Sequence, residues 1–253
     1  AFGTHVEGSL PFVAGRAPTN APLQQARGFA TLSLPLEEMH QIAHHYGATL
    51  NDVAAAVIDH GLHAYLRATD QGYAHEFIAM CPVSLRGDGD TTVGTKVSAM
   101  FVRLGQPEAA MADRLAQVAH SVATAKKELG ALSADAAMTY AVALVALAGA
   151  GASTHLDRVG HPACNLVISN VPGSNDIRYL NGARLTGIFP VSALAAAIGL
   201  NVTLSSYCNH MDFGFVANSA AISDVHALAE HTRAAYAQLK LADSRDGHRT
   251  EHG

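Results

Sequence analysis

The stretch Cys164–Ser174, CNLVISNVPGS, decides how the rest of the chain is read. Its first half, Leu166–Ile168, is a short apolar run whose β-branched Val167 and Ile168 fit a covered, pleated strand. Its second half changes character at Ser169-Asn170 and runs into Val171-Pro172-Gly173. Pro172 cannot donate to a ladder and Gly173 tolerates positive φ, so this half is expected to leave the sheet. Ser169 and Asn170 would then be delivered at the carboxyl end of a strand, where open α/β sheets place ligands. The plainer alternative is a strand followed by a tight turn in which Asn170 bonds its own backbone.

The 253 residues are 49% hydrophobic and 15% charged, enough to bury one large core or two small ones. A net charge of −5 offers no electrostatic footprint for nucleic acid. Cys81, Cys164 and Cys208 are odd in number and lie in apolar runs, which fits reduced, buried thiols in a cytoplasmic protein. The opening AFGTHVEGSLPFVAG is no signal peptide and lacks an initiator Met, as expected of a piece of a longer polypeptide. Tyr140–Ala152 is the longest apolar run and is too short to span a bilayer.

Residues 1–27 hold Gly, Pro and Asn without periodicity and read as a linker. Gly28–Leu34 alternates as a strand, and Pro35 opens a helix ending at Gly47. Thr49 is the next candidate N-cap, for a helix to about Arg67. Glu76–Leu85 and Val93–Leu104 read as paired strands, and residues 107–129 and 135–148 as helices. Beyond the opening stretch come strands at Ala183–Val191, Ile198–Tyr207 and Met211–Ala217, the last two a hairpin. A final helix capped by Ser223 runs to about Leu239, before a loose polar tail over 241–253. Interleaved strands and helices imply an α/β class with a mixed β-sheet covered by helices.

Of the fifteen histidines, His40 and His44 share a helix face, but no Cys or carboxylate completes a metal set. Asn51-Asp52 in the first turn of the second helix is more informative. Asp52 suits the helix dipole, and a purely structural capping role is one reading. Asn51 gains no such benefit and is free to reach a neighbouring loop or a ligand.

TLNDV (49–53), PVSLR (82–86), GTKVSAMFVRL (94–104), NLVISNVPGS (165–174), LNGARLTGIFPVSAL (180–194), GLNVTLSSY (199–207) and MDFGFVA (211–217) form a connected signature. In order and spacing it resembles the bacterial wax ester synthase/diacylglycerol acyltransferase family, from about Phe29 to Leu239. The resemblance implies one half of a chloramphenicol-acetyltransferase-like, two-domain acyltransferase fold, with residues 28–240 as the C-terminal domain. It implies an acyl-CoA-dependent O-acyltransferase that esterifies long-chain fatty alcohols or diacylglycerol, with acyl-CoA as co-substrate and no resident cofactor.

The family's His-His-x-x-x-Asp-Gly signature is missing. His44-His45 is followed by Thr49-Leu50, and none of the fifteen histidines has Asp four residues on. No catalytic base is therefore expected in this chain, and taken alone it is expected to be inactive. An N-terminal acyltransferase half, in the same polypeptide or a companion chain, would supply the base. Asn51 and Asp52 are supporting candidates. Ser169, Asn170, Val171, Pro172, Gly173, Ala197 and Asn201 are expected to line the substrate/CoA tunnel, and enlarging Ala197 to shift chain-length preference. Asp212 in MDFGF is expected to be structural. Insoluble substrates imply peripheral contact with a membrane or lipid-droplet surface. A non-catalytic lipid- or acyl-CoA-binding module is the alternative.

Overall fold

Alternation in RGFATLSLP turns Ala30, Leu32 and Leu34 to one side, and all three are buried while the residues between them are not. This is β1 (Arg27–Pro35), the edge of a six-stranded sheet. The computed structural model of the chain describes residues 10–84, 97–133, 136–140, 142–143, 146 and 160–250, without the side chains of 245–250. Pro35 stands at the N-cap of α1 (Leu36–His45), with Glu37 and Glu38 in its first turn. Thr49 caps α2 (Leu50–Ala68) through a capping box.

The sheet is completed by β2 (Ile78–Ser84), β3 (Val97–Arg103), β4 (Leu166–Ser174), β7 (Leu200–Tyr207) and β8 (His210–Asn218), in the order β1-β8-β7-β4-β2-β3. β7–β4 and β4–β2 are parallel; the other neighbours are antiparallel. A separate two-stranded hairpin consists of β5 (Tyr179–Leu180) and β6 (Ala183–Arg184). Helices α1, α2, α3 (Met111–Gly130) and α4 (Val225–Thr250) cover one face, where Leu166, Ile168, Val202, Leu204, Phe213 and Phe215 join their apolar stripes. Gly61 lets α2 and α4 touch: a Cβ there would stand 2.7 Å from the Thr232 backbone.

The other face is closed by irregular chain. Asp212, 1% exposed, accepts hydrogen bonds from Ser33 Oγ (2.6 Å) and Ile188 N (2.8 Å), which pins residues 187–190 over β8. The structural role expected of Asp212 thus has a geometry.

Several elements differ from expectation. Residues 10–27 are not a bare linker. Asn20, 2% exposed, donates to Cys164 O (2.9 Å) and Ala197 O (2.7 Å), and Asn165 donates to Gly15 O (2.8 Å). These side-chain amides satisfy backbone groups that a buried loop would otherwise leave orphaned. Ala183–Val191 is not one strand. Asn181-Gly182, both at positive φ (48° and 81°), make a tight hairpin turn, and the chain beyond Arg184 is irregular.

Asp224, not Ser223, caps the last helix, accepting from Ala227 N (3.0 Å). That helix runs to Thr250, so residues 241–250 are helical rather than a loose tail. Lys240 holds Glu38 (2.7 Å) and Asp243 holds His45 (3.1 Å), which extends the contact with α1 past Leu239. The helix expected over 135–148 is described only at 136–140, 142–143 and 146, which are helical; the remainder lies outside the described residues.

Behind the core, Asp59, His60 and His63 of α2 meet Arg114 of α3. Burial, reinforced by the Arg114 charge, holds His63 down to about 3 and His60 to about 4, so both are neutral. The unfolded chain binds more protons between the ordinary value of 6.5 and those values, so stability falls as pH drops through that window. Burial pushes Asp59 upward, which acts in the opposite sense. The difference between wild type and His63→Gln reads the histidine together with its 3.6 Å contact to Asp59. Wild type is expected to lose about 2 kcal/mol more than His63→Gln between pH 7 and pH 5 in urea titrations. Equal losses in the two proteins would remove His63 from the account.

Candidate functional site

Two parallel strands part to make the site. β2 and β4 pair only at Ala79–Leu166 and Met80–Val167. Beyond that point β2 stays with β3 as far as Ser84–Val97, while β4 stays with β7 through Val171–Ser205. The wedge between them is a cavity of about 290 Å³. Ala55 of α2 and Val122 and Lys126 of α3 close its back; Cys81, Pro82, Met100, Ile168 and Leu204 form its sides. Asn51, Ser169, Asn170 and Pro172 stand on its lining as well.

The opening stretch does not leave the sheet at Ser169. β4 continues to Ser174, with a register shift between Val171 and Ser174 that absorbs Pro172 and Gly173 as a bulge. Proline is tolerated there because the ladder is already irregular. Gly173 N donates to Ser206 Oγ (3.4 Å), and a Cβ on Gly173 would stand 1.5 Å from Ser206 O. Only glycine fits so close an approach. Val171 is 49% exposed.

Asn51 and Asn170, 119 residues apart, meet. Asn170 Nδ2 donates to Asn51 Oδ1 at 2.7 Å, joining the first turn of α2 to β4. Asp52 turns the other way and is 3% exposed. Its Oδ2 accepts from Thr49 N (2.8 Å) and Thr49 Oγ1 (2.7 Å), so the capping reading holds for its geometry. Asp52 Oδ1 accepts no hydrogen bond among the described residues.

Asn201 and Ala197 lie elsewhere. Leu200, Val202 and Leu204 point to the helices, so Asn201 points to the opposite face. There its Oδ1 accepts from Thr203 Oγ1 (2.9 Å), which also meets Ser192 Oγ (2.7 Å). Ala197, at φ 56°, precedes β7 at the far end of the sheet, and its carbonyl accepts from Asn20. Neither lines the cavity.

Sequence reasoning missed Ala55, Cys81, Met100, Val122 and Lys126, which read as ordinary core or helix-end residues. The available signal was Pro82 inside a strand, which marks a place where pairing stops. Burial pushes the Cys81 thiol up to about 12, with Asp52 adding to the effect, so Cys81 is a wall rather than a nucleophile. Among the described residues no three of His, Cys, Asp and Glu gather as metal ligands, and no helix is long and apolar enough to cross a membrane. Chemically, the cavity joins amide and hydroxyl groups, and the Lys126 ammonium at its back, to an apolar interior.

A model of the WS/DGAT C-terminal domain matches residues 93–240, more than half of the chain. The chain belongs to the wax ester synthase/diacylglycerol acyltransferase family. The wax ester synthase/diacylglycerol acyltransferase catalytic domain model also matches, over residues 2–54, so the opening residues and α1 carry family sequence as well. A Mycobacterium tuberculosis protein bearing the name diacylglycerol O-acyltransferase is 36% identical over 90% of this chain and 46% of its own length. The O-acyltransferase WSD of Acinetobacter baylyi is 30% identical over 84% of the chain and 46% of its own. The chain thus spans about half the length of the curated relatives it matches.

Among solved structures, the wax ester synthase/diacylglycerol acyltransferase from Marinobacter aquaeolei VT8 superposes with a TM-score of 0.77 at 28% identity, covering 91% of this chain and 53% of that one. The first condensation domain of the CDA synthetase shares the fold, with a TM-score of 0.53 at 17% identity, over 90% of this chain and 47% of that one. The mixed sheet with helices on one face is therefore the acyltransferase fold of this wax ester synthase/diacylglycerol acyltransferase member and of condensation domains.

Proposed function

We propose that this chain is the C-terminal part of an acyl-CoA-dependent O-acyltransferase that esterifies long-chain fatty alcohols or diacylglycerol. The observation that carries the reading is the Asn51–Asn170 hydrogen bond on the lining of an apolar cavity at the carboxyl end of β4. An acyl group brings a polar thioester and an aliphatic tail, and this cavity offers amides beside apolar walls. Ser169, Asn170 and Pro172, on the cavity lining, form one wall of the acyl-CoA tunnel, while Val171 and Gly173 are off that lining.

Attack of an alcohol oxygen on a thioester needs a base for the hydroxyl proton, and histidine suits neutral pH. The His-His-x-x-x-Asp-Gly base comes from an N-terminal half. The tetrahedral oxyanion needs fixed donors, and side-chain amides can supply them. Contact with lipid is peripheral.

The test is acyl transfer from palmitoyl-CoA to hexadecanol or dioleoylglycerol by the purified chain, alone and with a family N-terminal half carrying the His motif. Turnover that appears only with the pair supports the reading. The lack of any His-x-x-x-Asp in this sequence favours a second reading, a non-catalytic acyl-CoA-binding module. Palmitoyl-CoA binding without complementation by any such half would establish that one instead.

Asn51→Ala is expected to lower turnover of the assembled enzyme by about 10²-fold, the loss typical of a removed oxyanion donor. The urea midpoint should be unchanged, because Asn51 is exposed. Wild-type turnover would leave Asn51 with a tethering role only.

A further inference from the structure

The wedge does not end at its first cavity. A second cavity of about 330 Å³ lies beside it, walled by Leu129, Leu132 and Ala137, and Val83, Met100 and Lys126 belong to the walls of both. Met100, 8% exposed on β3, is one of the three residues shared by both linings. Polar groups are unevenly placed along this path. Asn51, Ser169 and Asn170 cluster where β4 turns polar and Lys126 stands on the wall of both cavities, whereas Met100, Val102, Val122 and Leu204 are apolar. A polar ligand would leave its own groups unpaired against such walls, whereas an unbranched hydrocarbon would not. Methionine is unbranched and adaptable, suited to a wall that must yield to a chain.

We propose that this path receives the aliphatic tail of a fatty acyl group, entering beside Asn51 and Asn170, and that Met100 sets the chain length accepted. The proposal rests on the acyl-transfer reading above and deepens it. Each methylene shut out of an apolar slot weakens binding about fourfold. A rigid ring at position 100 closes the passage to the second cavity, so it penalises long chains and spares short ones.

The full chain contains six methionines, and ¹³C-methyl labelling makes each a reporter. Titration with palmitate below its micelle concentration should shift the Met100 resonance to saturation. Met39 and Met211, buried on α1 and β8, should not move. Met100→Phe should then lose more than tenfold in affinity for palmitate while decanoate binds within twofold of wild type. A Met100 methyl untouched by saturating palmitate overturns the proposal, as does Met100→Phe weakening both acids equally. If Met100→Phe fails to fold, the wild-type titration decides alone. Turnover by the assembled enzyme with a silent Met100 methyl overturns the slot and keeps the acyltransferase reading. A shifted Met100 methyl without complementation keeps the slot and overturns that reading.

Discussion

Arg114→Met is expected to destabilise the chain by about 3–5 kcal/mol, the cost of leaving a buried carboxylate without its counter-ion. Arg114 and Asp59 are both 0% exposed, and Arg114 Nη1 donates directly to Asp59 Oδ2. Arg114 Nη2 also donates to Gln106 O (2.7 Å) and Pro107 O (3.0 Å), while Asp59 Oδ2 accepts from Gly105 N (3.1 Å). One ion pair therefore fixes α2, α3 and the 105–107 loop together. Removing only the cation strips three acceptors at once. Asp59→Leu combined with Arg114→Met should recover most of the loss, because no charge is then left buried. Urea titrations of the two variants check both statements. A single variant within 1 kcal/mol of wild type, or a double variant no better than the single, would show that the pair is not the clamp described.

Gly173→Ala is expected to lower stability by about 2 kcal/mol and Tm by roughly 5 °C. The added Cβ would stand 1.5 Å from Ser206 O and 2.6 Å from Ser206 C, both backbone atoms that cannot rotate aside. β4 and β7 must separate at the bulge, which displaces Pro172 from the cavity lining. Palmitate binding should weaken with the melting temperature. A variant that melts within a degree of wild type would show that the bulge has slack.

Most elements were legible because their signals are local. Thr49 and Asp52 lie three residues apart and announce a capping box; β1, β7 and β8 alternate; Cys208 sits in the tight turn between the last two. The site was legible in part. Asn51 and Asn170 could each be singled out for chemistry, but their contact depends on β4 lying across the N-terminus of α2, a relation between residues 119 positions apart. Ala197 and Asn201 were grouped with them by the family resemblance. The strand period sends Asn201 to the far face, and a parallel strand's entry lies at the opposite end from its partner's exit. Pro172 was read as an exit from the sheet because a ladder has no use for it. In fact the ladder breaks on one side and bulges on the other. The burial of Ala14, Ala17, Thr19 and Asn20 was invisible because it depends on two asparagines, Asn20 and Asn165, rather than on apolar periodicity.

The parting of β2 and β4 has a further consequence, for self-association. Where two strands diverge inside a sheet, each presents an edge, and a bare edge recruits strands from other copies. Here one lip carries Pro82 and the other Pro172, and neither can donate a backbone hydrogen bond. The same residues that keep the wedge from zipping shut also deny it to a foreign strand. The chain can hold an internal edge open without nucleating aggregation there.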